Sequence, residues 1–290
     1  MRSRFLRKRW LVAAAAVLVL AAAGGVTASV TSSGDGQTIA QSAPANINTF
    51  FTWTSNIDGG TTVSISDHGN VVRYESPTGY DHIGVGALSE GYVLCYTNPF
   101  NGTNIDAFDT GSFESGFAFS TTSTSPVAVD RNTTDGLIHL KQLFTFDGLR
   151  KSLGVEMRIT NNTGSNINNV ILRRQADLDV DTGGAKGWAN FLNWFARSTR
   201  GGVWAWDDPS EAPAGAAAHA MMMQHNSANP APVGTRLTKV TDDILDSSCN
   251  PPTKATPENS TNDDGATIQY NLGTLPAHAT KNFRLSYYRM

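Results

Sequence analysis

The sequence predicts an all-β fold: a large antiparallel β-sandwich, with one short helix and long loops. Three observations predict it. From residue 49 onward, short runs rich in Val, Ile, Thr, Phe and Tyr are separated by Gly, Asn, Asp and Pro, the pattern of many short strands joined by turns. Few stretches carry a helical period. About 240 residues remain once the N-terminal segments are set aside, enough for a single domain over residues 49–290 with a sizeable core.

Residues 1–28 read as a secretory signal peptide, with a basic head (Arg2, Arg4, Arg7, Lys8, Arg9), an apolar run from Leu11 to Ala23, and Val26 and Ala28 before a cleavage point ahead of Ser29. The apolar run is shorter than the roughly 20 residues a spanning helix needs, so no membrane insertion is expected once the signal is removed. Removal leaves 17 basic against 25 acidic residues, a net charge of −8. That balance argues against nucleic acid as a partner and leaves cations open. Residues 29–48 form a flexible lead-in rich in Ser, Thr, Gly, Gln and Ala.

Thr62 to Ile65 and Val71 to Tyr74 flank Ser66-Asp67-His68-Gly69-Asn70 and predict a hairpin. A second hairpin is expected from Val155–Thr160, a turn over 161–166, and a long strand from Val170 to Asp181. Ala185 to Arg197 has the spacing of a short helix, with Trp188, Leu192 and Phe195 on one face. Ser247 to Asp264, rich in Pro, Asn and Ser, reads as a surface loop. Thr267 to Leu272, a turn at Leu275-Pro276-Ala277, and Asn282 to Tyr288 predict a closing hairpin, so the chain finishes inside a sheet. Cys95 and Cys249 are the only cysteines. Export to an oxidising, extracellular compartment makes a disulfide between them the default.

Candidate chemistry concentrates between Arg173 and Asp208. In a strand, residues two apart share a face, so Arg173, Gln175, Asp177, Asp179 and Asp181 would form one polar surface. Carboxylates at that spacing repel and call for an offset: solvent, the neighbouring arginines, or a bound calcium ion held by Asp177, Asp179 and Asp181. The EF-hand pattern fails, because Thr182 stands where glycine is expected and Trp188 where a bidentate Glu is required. Trp188, Trp194, Trp204 and Trp206 follow within 19 residues. Their rings suit stacking on sugars, and equally suit a core. In the segment His219 to His225, the alternation of His and Met suits copper in principle and core packing more commonly. No motif for nucleophilic or metal-dependent hydrolysis is present.

The run VEMRITNNTGSNINNVILRRQADLDVD resembles strand pairs of secreted bacterial β-sandwich domains, and the ending YNLGTLPAHATKNFRLSYY is similar to their closing hairpin. LKQLFTFDGLRKSLGVEMRI resembles supersandwich domains of the galactose-mutarotase type. The resemblance implies a sandwich scaffold and a carbohydrate partner. It does not imply mutarotation, since the histidine and glutamate pair of mutarotases has no placed match. The expectation is therefore a secreted protein that binds carbohydrate through Arg173, Gln175, Asp177, Asp179 and the tryptophans at 188, 194, 204 and 206. Two rival readings are a glycoside hydrolase or lyase using the Asp residues, and a calcium-stabilised surface or matrix protein.

Overall fold

The computed structural model describes residues 49–83, 90–111, 113–181, 193–198, 201–207, 219–226, 235–242, 247–249, 261–262 and 264–290. The expected signal peptide (residues 1–28) and lead-in (29–48), Trp188 and most of the expected 247–264 loop therefore lie outside the described residues.

The described strands follow one another as β1 (Thr49–Ser55), β2 (Thr61–Ser66), β3 (Val71–Glu75), β4 (Glu90–Thr97), β5 (Asn104–Asp109), β6 (Glu114–Ser115), β7 (Thr121–Thr124), β8 (Val127–Asn132) and β9 (Ile138–Asp147). After them come β10 (Ser152–Asn161), β11 (Ile167–Asp177), β12 (Asn193–Ser198), β13 (Gly202–Asp207), β14 (Ala220–His225), β15 (Thr235–Asp242), β16 (Thr261–Asn262), β17 (Asp264–Leu275) and β18 (Thr280–Arg289). They form three antiparallel sheets, of order β1-β2-β3, β16-β12-β13-β14-β18-β10-β9-β8-β7 and β15-β17-β11-β4-β5-β6. The all-β sandwich expectation is met, and no α-helix occurs among the described residues.

The core lies between the nine-stranded and six-stranded sheets, and the period of two explains it. Leu153, Val155, Met157 and Ile159 of β10 and Phe283, Leu285 and Tyr287 of β18 point inward from the larger sheet. Tyr92, Leu94, Leu172, Ala176, Ile268 and Tyr270 meet them from the smaller one. Each such aliphatic side chain is worth about 2–5 kcal/mol against truncation to alanine. The three-stranded sheet joins this core through Val63, Ile65, Val71 and Tyr74. Trp53 stacks on Phe146 with ring centroids 6.0 Å apart, and the Tyr74 hydroxyl donates to the Lys151 carbonyl at 2.5 Å.

The predicted β2–β3 hairpin forms, with Val63 opposite Tyr74 and Ile65 opposite Val71. Gly69 takes φ 88°, the left-handed conformation that the turn requires.

The other two expected hairpins are not hairpins. β10 pairs with β9 and β18, whereas β11 pairs with β4 and β17. Both the β10–β11 and the β17–β18 connections cross from one sheet to the other. Asn161 ties the two crossings together: its side-chain amide donates to the carbonyls of Ser165 (2.8 Å), Leu275 (3.1 Å) and Pro276 (3.0 Å). Alternation identifies a strand but not its partner, and a connection of several residues is long enough to change sheets. As expected, the chain does finish inside a sheet, with β18 between β14 and β10.

The helix expected over 185–197 is also corrected. Asn193–Ser198 is a strand, with Phe195 opposite Ala205, and residues 185–192 fall outside the description. Pairing with β13 on one side and β16 on the other overrides the weak helical spacing there. At the far end of the predicted 247–264 loop, Thr261 and Asn262 form β16 and Asp264 opens β17. Cys95 on β4 is bridged to Cys249, with Cα atoms 6.1 Å apart across 154 residues. Among the described residues no helix is long and apolar enough to cross a membrane.

Candidate functional site

The acidic strand is not the polar surface that its alternation predicts. β11 ends at Asp177, and both of its faces are covered along Arg173, Arg174 and Gln175. Arg173 and Arg174 are each 0% exposed. Arg174 points into the space between the sheets, where its Nε and Nη2 meet the Glu90 carboxylate, Nη1 the Gln142 amide oxygen, and Nη2 also the Gly69 carbonyl. Glu90 further accepts from the Tyr287 hydroxyl at 2.7 Å and the Val71 N–H at 2.9 Å. Burial nevertheless pushes the Glu90 carboxyl above its ordinary value, against the pull of Arg174. On the opposite face Arg173 donates to Gln269 Oε1 from Nε (2.9 Å) and Nη2 (2.7 Å).

The expected ladder of Asp177, Asp179 and Asp181 is divided between a strand end and a turn. Asp177 is half-buried at the end of β11, and Asp179 and Asp181 are buried beyond it beside buried Leu178 and Val180. Three carboxylates lining one strand face, the premise of the calcium reading, are not present. Asp181 has φ 64°, which Asp tolerates better than most residues. Its N–H donates to His82 Nδ1 at 3.1 Å, and its Oδ1 lies 2.5 Å from His219 Nδ1. Burial pushes the Asp181 carboxyl up, but the bond to His219 and the two imidazoles outweigh it and hold it below the ordinary value. Burial takes His82 down to about 4.

The alternating His and Met segment is accounted for by the same packing. Met221 and Met223 are core residues at 0% exposure, and His225 Nδ1 pairs with the Tyr270 hydroxyl at 2.8 Å. Among the described residues, His68, Asp109 and Glu114 bring three ligand-type atoms within 4.8 Å of one another. Arg131 already lies on both carboxylates there, 2.8 Å from Asp109 and 2.7 Å from Glu114, so a guanidinium holds the place of a cation.

The tryptophans lead to a different surface. Trp204 and Trp206 alternate with buried Val203 and Ala205, so both stand half-buried on the outer face of the nine-stranded sheet. Register places Trp204, Met222, Tyr288, Ser152 and Asp147 in one row across five adjacent strands. The next row holds Gly202, Gln224, Ser286, Gly154 and Thr145. Arg284, Glu156 and Leu143 lie side by side beyond it. A groove of about 410 Å³ opens over these rows, lined among others by Leu143, Thr145, Glu156, Arg284, Ser286 and Tyr288. Gly154 forms part of its floor; a Cβ there would fall 2.7 Å from Thr145 Oγ1.

Glu156 is the groove's charged centre. It receives Arg158 Nε at 2.5 Å and Arg284 Nε at 2.7 Å. Burial opposes its ionisation, but these bonds win and hold the carboxyl below its ordinary value. Sequence reasoning missed Glu156, Arg284 and Tyr288, although the alternation in VEMRIT and NFRLSYY carries them to one face. Of the predicted residues, Trp204 and Trp206 belong to this face, while Arg173, Gln175, Asp177 and Asp179 belong to the other sheet or its end. Trp194 is the register partner of Trp206, and Trp188 lies outside the described residues.

No protein-family model and no curated protein sequence matches the chain. Among solved structures it is similar to a bacterial glucoamylase complexed with acarbose, at TM-score 0.54 and 9% identity over 91% of this chain and 35% of that one. This chain therefore spans about a third of the glucoamylase's length, and the likeness is one of fold. Weaker likenesses, both at TM-score 0.39, are to a galactose mutarotase-related enzyme from Lactobacillus acidophilus (8% identity, 83% of this chain, 97% of that one) and a heparan sulfate lyase mutant from Pedobacter heparinus (11%, 84% and 35%).

Proposed function

We propose that this is an exported protein that binds carbohydrate on the outer face of its nine-stranded sheet. The observation that carries the reading is the row of Trp204, Met222 and Tyr288 beside the groove centred on Glu156. Half-buried rings offer apolar faces to pyranose rings, and an ionised carboxylate held between two guanidinium groups offers both acceptors and donors to hydroxyls. Trp204 and Tyr288 are separated by one strand, so their backbones are roughly 10 Å apart, a span suited to an oligosaccharide rather than a single sugar. Export rests on the signal-like N-terminus and the Cys95–Cys249 bridge.

Binding is favoured over hydrolysis on this face for two reasons. Glu156 is held ionised and so lacks the proton that a general acid must give. Asp147 sits opposite Ser152, four residues from Glu156 along β10, which separates the two by roughly 14 Å at ~3.3 Å per residue. Paired glycosidase carboxyls lie about 5 to 9.5 Å apart. The test is a titration of the mature protein with a panel of oligo- and polysaccharides, followed by tryptophan fluorescence. A saturable shift with at least one member, displaced to higher ligand concentration in Trp204→Ala, is expected; no shift with any member contradicts the reading.

A further inference from the structure

We propose that the glycan taken by the outer face is acidic, a uronic-acid polymer whose carboxylates seat on Arg158, Arg284 and Arg150. This rests on the carbohydrate reading and narrows it. The chain carries a formal net charge of −3, so an acidic ligand needs a place where that balance is locally reversed. The groove and the strand row beside it supply one. Glu156, Arg284 and Leu143 share a row, and the next row holds Asn282, Arg158, Lys141 and Asp130. Arg150, in the turn between β9 and β10, also lines the groove.

Depth decides which sign of charge a ligand meets. Glu156 binds two guanidinium groups, so the trio carries a net positive charge. Its side chain is only 12% exposed, against 41% for Arg158 and 47% for Arg284. Arg150 is 79% exposed and its partner Asp147, at 3.6 Å, 47%. Lys141, 3.0 Å from Asp130, is again the more exposed of its pair. In each of these pairs the base reaches further into solvent than the acid. Nor are the donors used up. Arg158 commits Nε to Glu156, and Arg284 commits Nε and Nη2. A guanidinium has five N–H donors, which leaves both Nη groups of Arg158 and Nη1 of Arg284 without a partner among the described residues.

Planar guanidinium forks match a carboxylate with two parallel bonds, whereas a hydroxyl accepts at one atom. The rows of Glu156 and Ser152 lie four residues apart on β10, roughly 14 Å, which sets Arg158 and Arg284 apart from the turn that carries Arg150. That separation calls for charges repeated along a chain rather than for a single acidic sugar. Trp204, Met222 and Tyr288 occupy the Ser152 row, so ring stacking is available at the end nearer Arg150. Thr145, Ser286 and Asn226 also line the groove and supply neutral partners for hydroxyls.

The test is calorimetric titration of the protein with polygalacturonate, alginate and hyaluronan, each beside its own methyl ester, and with dextran and dextran sulfate as neutral and sulfated polymers. At least one uronate polymer should bind, roughly tenfold or more tightly than its ester, with an affinity that falls as sodium chloride is added. Arg150→Gln and Arg284→Gln should each weaken that polymer about tenfold, the loss of one charge-assisted pair, and leave the ester unaffected. Arg150 is largely exposed, so its variant decides the matter even if Arg284→Gln fails to fold. A neutral polymer or ester that binds as tightly as the uronate overturns this inference and leaves the carbohydrate reading standing, as does binding of dextran sulfate alone. Uronate binding that both arginine variants keep at the parent's affinity also overturns it. Binding by no polymer overturns both.

Discussion

β10 and β11 follow each other in the chain, alternate polar and apolar residues in the same way, and end in opposite environments. On β10 the polar set, Gly154, Glu156, Arg158 and Thr160, lies on the outer face with partial access to solvent. On β11 both sets are buried from Leu172 to Ala176, and Arg173 and Arg174 have no exposure at all. Period two divides a strand into two faces, but it does not say whether the second face is covered. The difference lies in what each charge meets. Glu156 is flanked by arginines that are 41% and 47% exposed, whereas Arg174 and Glu90 neutralise each other where neither meets water.

Breaking the buried pair should have the largest effect. Glu90→Gln leaves Arg174 without its counter-charge, and urea denaturation should show a loss of about 3–5 kcal/mol. The equivalent change on the outer face, Glu156→Gln, should cost about 0–1 kcal/mol, because its arginines remain solvated. Equal losses at the two sites would remove the contrast.

His82 sharpens the account of the turn at Asp181. Its pKa falls from 6.5 to about 4 on folding because burial disfavours the charged ring. A depressed folded value means that the stabilisation is present above pH 6.5 and is lost as pH falls towards 4. At ~1.4 kcal/mol per unit this amounts to about 3 kcal/mol. The stability difference between the parent and His82→Gln should shrink by that amount between pH 7 and pH 4. A difference independent of pH would mean that the imidazole is not buried neutral.

The smaller effects concern affinity. Trp204→Ala should weaken carbohydrate binding roughly tenfold, about 1.4 kcal/mol. Gly154→Val should do the same by filling the groove floor, without removing any ion pair, and calorimetric titration measures both. An unchanged affinity in both variants would move the binding surface elsewhere.

Much of the scaffold was legible because it depends on local pattern. The disulfide follows from two cysteines in a chain with a signal-like N-terminus, and the β2–β3 hairpin, the strand character of β10, β11, β17 and β18, and the shared side of Trp204 and Trp206 follow from alternation and turn chemistry. What was not legible depends on partners distant in sequence. Asn161 joins two sheet crossings through carbonyls more than 110 residues away. Asp181 finds His82 and His219 from 99 and 38 residues off. Glu156 and Arg284 become neighbours only when β10 and β18 pair. The tryptophans were visible as a cluster, but the polar half of their surface was supplied by strands on which no motif stood out.

The most direct test of the carbohydrate reading is hydroxyl-radical footprinting of the protein with and without the glycan that the fluorescence panel identifies. Protection concentrated on Trp204, Trp206 and Tyr288, with Tyr80 and His219 unchanged, is the predicted result. Unprotected tryptophans with protection around the Asp181 turn would contradict it.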